Sequence, residues 1–150
     1  MKALVTGATG FTGGALVRRL LDRGDEVRVL VRDRRRLPMQ PSRHLEVLEG
    51  DIVDEQAAEA AVEGVDCVYH VAAVYRVSGL PDRVYRDVHV RGTENLARAA
   101  VRHQVKRFVH CSTGGVHGHI ADPPADESYR FQPGDIYQET KLEGELTVRR

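Results

Sequence analysis

The stretch VTGATGFTGG, Val5 to Gly14, follows a short apolar run, Ala3 to Val5, and leads into a segment of helical periodicity. Gly7, Gly10 and Gly13 form the pattern G-x-x-G-x-x-G at that junction. Glycines at this spacing allow a tight turn, a close approach of backbone to a pyrophosphate, and near packing of helix on strand. The helix N-terminus then offers free N–H groups and the positive end of its dipole. No Lys-Ser/Thr pair follows the last glycine, which excludes a P-loop. An ordinary strand–helix turn is the competing reading, and the placement favours a nucleotide cradle.

Beyond this junction, strand and helix signals alternate along the chain. Phe11 to Arg23 carries Leu16, Val17, Leu20 and Leu21 on one face and closes at Gly24, a C-terminal cap. Val27–Val31 and Leu45–Leu48 read as the second and third strands. An alanine-rich helix runs from about Asp54 to Glu63. Cys67–Ala72 reads as the fourth strand, a long helix spans roughly Pro81 to His103, and Arg107–Cys111 is the fifth strand. A last helix opens near Asp135, an N-cap. Such alternation predicts an α/β fold, a doubly wound parallel sheet of Rossmann type, with five strands in the order 3-2-1-4-5. The sequence stops inside its last helix, at TVRR, without the sixth strand that such folds usually have. Residues 1–150 therefore read as a dinucleotide-binding domain incomplete at its C-terminus, with a substrate-binding part absent.

Composition narrows the partners. The 150 residues are 41% hydrophobic and 29% charged, as in an ordinary globular domain. Lys+Arg and Asp+Glu both total 22, which argues against general binding to nucleic acid or an anionic membrane. The cluster Arg32–Arg36 is a local exception. No apolar run approaches the ~20 residues of a membrane span. The N-terminus runs straight into glycines, unlike a signal peptide. Cys67 and Cys111 lie in strand-like runs and read as reduced core residues of a cytoplasmic protein, with a disulfide as the alternative.

The end of the second strand bears on which dinucleotide binds. An acidic residue about 20 positions past the loop serves the ribose hydroxyls of NAD. Here the strand ends Val31-Arg32-Asp33. Arg32 could clamp a 2′-phosphate, with Arg34–Arg36 adding positive field. Asp33 could instead serve the ribose if the strand runs one residue longer, and a solvated surface loop is the bland reading. The balance predicts NAD(P) binding, with NADP(H) favoured over NAD(H).

Later motifs add a resemblance. TGATGFTG (Thr6–Gly13), GDI (Gly50–Ile52), HVAA (His70–Ala73), HVRGTENL (His89–Leu96), CSTGGVHG (Cys111–Gly118) and YQETK (Tyr137–Lys141) occur in the order of the NAD-dependent epimerase/dehydratase family, the extended short-chain dehydrogenase/reductases. The chain resembles the N-terminal part of that family across nearly all of its length. The resemblance implies cofactor-binding roles for Gly7, Thr9, Gly10, Phe11, Thr12, Gly13, Asp51, Ile52, Ala72 and Ala73, to which the end of the second strand adds Arg32. It implies a catalytic set of Thr113, Tyr137 and Lys141, of which Tyr137 and Lys141 also hold the cofactor. His89 stands where the family usually has Asn, Thr113 at the serine position, and His117 in place of Tyr. The acidic residue expected at the tip of the second strand falls on Val31.

The physical case for the catalytic set rests on spacing. Tyr137 and Lys141 are four apart on a predicted helix, so their side chains share a face. A free tyrosine titrates near ~10. A neighbouring ammonium is expected to stabilise the phenolate and lower that value. Thr113 leaves the fifth strand at its C-terminal end, where doubly wound sheets place ligands. The expected reaction is hydride transfer between nicotinamide and a carbinol or carbonyl carbon, with Tyr137 as acid/base. The resemblance implies a small-molecule substrate, a nucleotide sugar or a small ketone or aldehyde; the VRD ending leans to the reductases, and a homodimer is one expected assembly. A non-catalytic dinucleotide sensor of the same fold is the alternative, disfavoured because the Tyr/Lys pair is retained. His110, Cys111, His117 and His119 lack a metal-binding framework, so no metal is expected. His70 reads as a hydrogen-bonded core or site-lining residue.

Overall fold

The structure, a computed structural model, describes residues 1–40 and 42–150. Five strands, β1 (Lys2–Thr6), β2 (Glu26–Val31), β3 (Leu45–Glu49), β4 (Cys67–His70) and β5 (Arg107–His110), pair in parallel in the order β3-β2-β1-β4-β5. The expected order and the doubly wound α/β class are both found. The helices are α1 (Phe11–Asp22), α2 (Glu55–Val62), α3 (Asp82–Arg86), α4 (Gly92–Arg102) and α5 (Ile136–Arg149).

β1 lies at the centre, with Val5 opposite Val29 on one side and Tyr69 on the other. Successive strand side chains point to opposite faces, so the sheet needs two apolar layers. Leu4, Leu30 and Val68 pack against Ala58 and Val62 of α2 and Leu96 and Ala99 of α4. Ala3, Val5, Val27 and Val29 pack against Val17 and Leu20 of α1.

Caps set the helix starts. The Asp54 carboxylate accepts from Gln56 N and Ala57 N at the head of α2. Asp135 accepts from Gln138 N at 2.8 Å at the head of α5. The long helix expected from Pro81 to His103 differs in detail. Its middle, Asp87–Arg91, is a π-helical turn between α3 and α4. That widened turn meets α5 closely: a Cβ on Gly144 would overlap the His89 carbonyl oxygen. β4 and β5 end at His70 and His110, earlier than expected, and their continuations turn into the loops of the site. Cys111 therefore lies beyond β5 and is exposed, not in the core; Cys67 is buried, and both thiols are free.

Arg28 is a buried cation inside β2. Its Nε donates to Glu46 at 2.9 Å, and its Nη1 donates to the carbonyls of Ala60, Ala61 and Glu63 at 3.2, 2.9 and 2.6 Å. One guanidinium thus satisfies the unpaired carbonyls at the C-terminus of α2.

Candidate functional site

The glycine loop closes on itself and on β4. Gly7 has φ +77°, and a Cβ there would lie 2.7 Å from Ala72 N. A Cβ on Gly13 would collide with the carbonyl of Gly7. Gly10 is the N-cap of α1, and no side chain caps that helix. Its first N–H groups are left for a ligand, and the backbone wall is bare enough for a close approach.

A cleft of about 600 Å³ opens beside this loop, at the C-terminal ends of the strands. Gly7, Thr9, Gly10, Phe11, Thr12, Gly13, Arg32, Asp51, Ile52, Ala72, Ala73, Tyr137 and Lys141 all border it. Thr113 is not part of the wall. Cys111 and Ser112 border the cleft instead, and the Ser112 hydroxyl donates to Glu145 at 2.6 Å.

At the β2 end, the two readings of Arg32 and Asp33 separate. β2 stops at Val31, and Asp33 caps a 3-10 turn, Arg34–Arg36. The Asp33 carboxylate accepts from Arg35 N at 3.0 Å and from the Arg35 guanidinium at 2.9 and 3.0 Å. Those hydrogen bonds hold the Asp33 carboxyl below its usual range. Asp33 is thus engaged by Arg35, while Arg32 and Arg36 line the cleft. Arg36 was visible in the sequence only as part of the cluster.

At the α5 end, Tyr137 and Lys141 share a helix face as expected, but their electrostatics differ from expectation. Lys141 is 2% exposed, and its Nζ donates to the Cys111 carbonyl at 2.5 Å. Burial pushes its pKa down. The Tyr137 phenol is pushed above 10, chiefly by burial; the Thr113 hydroxyl and the Arg76 guanidinium act in the opposite direction. The Tyr137 phenol therefore stands above its ordinary value rather than below it, because burial outweighs the charges around it.

A chain of buried hydrogen bonds connects the glycine loop's strand to α5, and its proton positions follow from donors that cannot accept. Val74 N–H donates to His89 Nε2 at 2.9 Å, so that nitrogen carries no proton. His89 Nδ1–H therefore donates to Thr140 Oγ1 at 2.8 Å, whose own proton goes to the Ile136 carbonyl at 2.7 Å. The Thr93 hydroxyl donates to the His89 carbonyl at 2.6 Å, so it accepts from His70 Nε2–H at 2.8 Å. His70 Nδ1 then accepts from Thr6 Oγ1 at 2.8 Å, and Thr6 accepts from Ala72 N at 3.2 Å. His70 is a core hydrogen-bonding residue. Burial drives its pKa well below 6.5 and that of His89 to about 4. Sequence reasoning marked His89 as a departure but missed this strut; its one signal was a histidine flanked by two valines on a buried helix.

Comparison with known proteins agrees with this geometry. A model of the NAD dependent epimerase/dehydratase family matches residues 3–150. The chain belongs to the NAD-dependent epimerase/dehydratase family. It is similar to a 3 beta-hydroxysteroid dehydrogenase/Delta 5-->4-isomerase of Mycobacterium tuberculosis, 42% identical over 98% of this chain and 42% of that protein. It is also similar to sterol demethylase protein B of Methylococcus capsulatus, 36% identical over 99% of this chain and 46% of that protein. Among solved structures, DesIV, a dTDP-glucose 4,6-dehydratase from Streptomyces venezuelae with NAD and TYD bound, superposes with a TM-score of 0.90 at 34% identity. The match covers 99% of this chain and 51% of DesIV. The chain spans about half the length of the curated relatives it matches.

The departures from the epimerase/dehydratase motifs have distinct surroundings. His89 forms the strut just described, whereas His117 stacks on Phe131 at 5.3 Å. Among the described residues, no three His, Cys, Asp or Glu side chains converge as a metal-binding group. No helix of the described residues is long and apolar enough to cross a membrane.

Proposed function

We propose that these 150 residues form the dinucleotide-binding and acid/base part of an oxidoreductase that uses NADP(H) in preference to NAD(H). The observation that carries this reading is the single cleft bordered by the glycine loop, Arg32 and Arg36 at one end, and by Tyr137 and Lys141 at the other. The bare backbone at Gly7 and Gly13 and the uncapped α1 N-terminus fit a pyrophosphate. Arg32 and Arg36 fit a 2′-phosphate, because Asp33 is committed to Arg35. Asp51 and Ile52 border the adenine side, and Ala72 and Ala73 the middle of the cofactor.

A nicotinamide held in this cleft would supply or accept the hydride. Tyr137 gives or takes the proton at its phenol oxygen, and Thr113, outside the cleft wall but beside the Tyr137 phenol, hydrogen-bonds the substrate oxygen through its hydroxyl. Lys141, which borders the cleft and is fixed by the Cys111 carbonyl, would hold the nicotinamide ribose with its remaining N–H donors. The substrate is a small molecule with a carbinol or carbonyl carbon, a nucleotide sugar or a ketone or aldehyde. The likeness to a hydroxysteroid dehydrogenase and to a dTDP-glucose dehydratase keeps both classes in view.

Two measurements test the reading. Titration with NADPH and NADH should show tighter NADPH binding, and Arg32→Ser should erase the difference; a clear preference of the unmodified chain for NADH would overturn the 2′-phosphate assignment. In the active oxidoreductase that this reading implies, Tyr137→Phe should abolish turnover and spare cofactor binding. Unchanged turnover would remove Tyr137 from the acid/base role.

A further inference from the structure

Arg76 stands out on the loop after β4. It has φ +35°, a left-handed conformation that a long side chain seldom adopts and that costs on the order of 1 kcal/mol or more. The guanidinium carbon lies 5.8 Å from the ring centre of Tyr137 and 5.9 Å from that of Tyr75. Tyr75 in turn meets Tyr137 edge-on at 5.2 Å. Arg76 Nη2 pairs with Asp135 Oδ2 at 2.9 Å, while the other oxygen of Asp135 caps α5 two residues before Tyr137. The cation is thus tethered by the N-cap of the same helix that carries Tyr137.

We propose that Arg76 is a positioning residue for the acid/base Tyr137: its tethered guanidinium is a second cation, beside Lys141, that favours the phenolate. The inference rests on the acid/base reading of Tyr137 but concerns a property of the phenol that exists without turnover. A cation within ~6 Å of a ring centre is attracted to the ring face and stabilises negative charge developing on it. The groups that face Tyr137 are few. Tyr75 and Arg76 come from the β4 loop, and His89, 5.5 Å away between ring centres, comes from the π turn. Cys111 and Thr113 come from the segment after β5, and Asp135 and Lys141 from the start of α5. Of these two cations, Lys141 is held by the Cys111 carbonyl and Arg76 lies over the ring. His89 is neutral wherever a phenol titrates, its pKa being about 4. Asp135 carries the opposing charge and is neutralised by Arg76.

The test is the ionisation of Tyr137 in the intact chain, read by NMR of carbon-labelled tyrosine and assigned by its loss in Tyr137→Phe. Arg76→Met should raise the Tyr137 midpoint by about half a pH unit, the scale of one half-exposed, salt-screened cation at this distance. Arg76→Lys should restore most of the shift, and added salt should raise the midpoint of the unmodified chain but not of Arg76→Met. An unchanged midpoint in Arg76→Met overturns the proposal, even if Tyr137→Phe abolishes turnover. Should the chain unfold before the phenol ionises, 3,5-difluorotyrosine, which titrates at lower pH, gives the same comparison by fluorine NMR under folded conditions.

Discussion

His89 Nδ1 and Thr140 Oγ1 lie 2.8 Å apart in a buried seam between the π turn and α5, and one proton arrangement satisfies both. The imidazole donates there because its other nitrogen is taken by Val74 N–H. One ring thereby joins the loop after β4 to the helix that carries Tyr137 and Lys141.

Thr140→Val keeps the shape of the seam but leaves His89 Nδ1–H without an acceptor, so it should cost roughly 1–3 kcal/mol of stability. Urea unfolding measures this. A double-mutant cycle with His89→Leu should show a coupling of about 1 kcal/mol, and additive losses would mean that the bond contributes nothing.

Acid should weaken the fold through two buried histidines, His70 and His89, and the half-buried His110. Burial lowers the folded pKa of His89 and His110 to about 4 and that of His70 well below its ordinary value, all from 6.5 in the unfolded chain. The fold favours their neutral forms, so their stability contribution is complete above pH 6.5 and lost as pH falls below it. Near pH 5 the unfolded chain holds more protons on these rings than the folded chain, and each extra proton is worth about 1.4 kcal/mol per pH unit. Denaturant midpoints should therefore drop steeply from pH 6.5 to 5, and His89→Asn should make the slope shallower by about a third.

Removing the buried guanidinium of Arg28 should cost roughly 2–3 kcal/mol, because it leaves the end of α2 without its donor. Arg28→Met retains the stem and isolates that loss. A melting temperature equal to that of the unmodified chain would show that the α2 carbonyls find other partners.

Gly13→Ala places a methyl against the Gly7 carbonyl, backbone against backbone, where no side chain can yield. Overpacking of this kind costs on the order of 1–3 kcal/mol. Part of the strain should fall on the loop, so fluorescence titration should show NADPH binding weakened by at least about tenfold.

Much was legible in the sequence because local rules wrote it there. VTGATGFTGG needs its glycines whatever surrounds it, and Asp54 and Asp135 act on N–H groups two or three residues away. Apolar periodicity and parallel crossovers then dictate the sheet order around β1. By contrast, Asp33 and Arg32 adjoin each other in sequence, and their separate roles depend on where β2 ends and on the bidentate grip of Arg35.

The sequence by itself determined the α/β class, the strand order, the glycine cradle and the placing of Tyr137 and Lys141 on one helical face. Each of these follows from contacts within a few residues or from a repeating period. Tertiary structure alone decided that Lys141 Nζ would bind the Cys111 carbonyl, that Arg76 would lie over Tyr137, and that His89 would join Val74 to Thr140. These partners are far apart along the chain and sit on different elements. The protonation of each group therefore depends on which neighbours the folded sheet brings within hydrogen-bonding reach and how far it shuts out water.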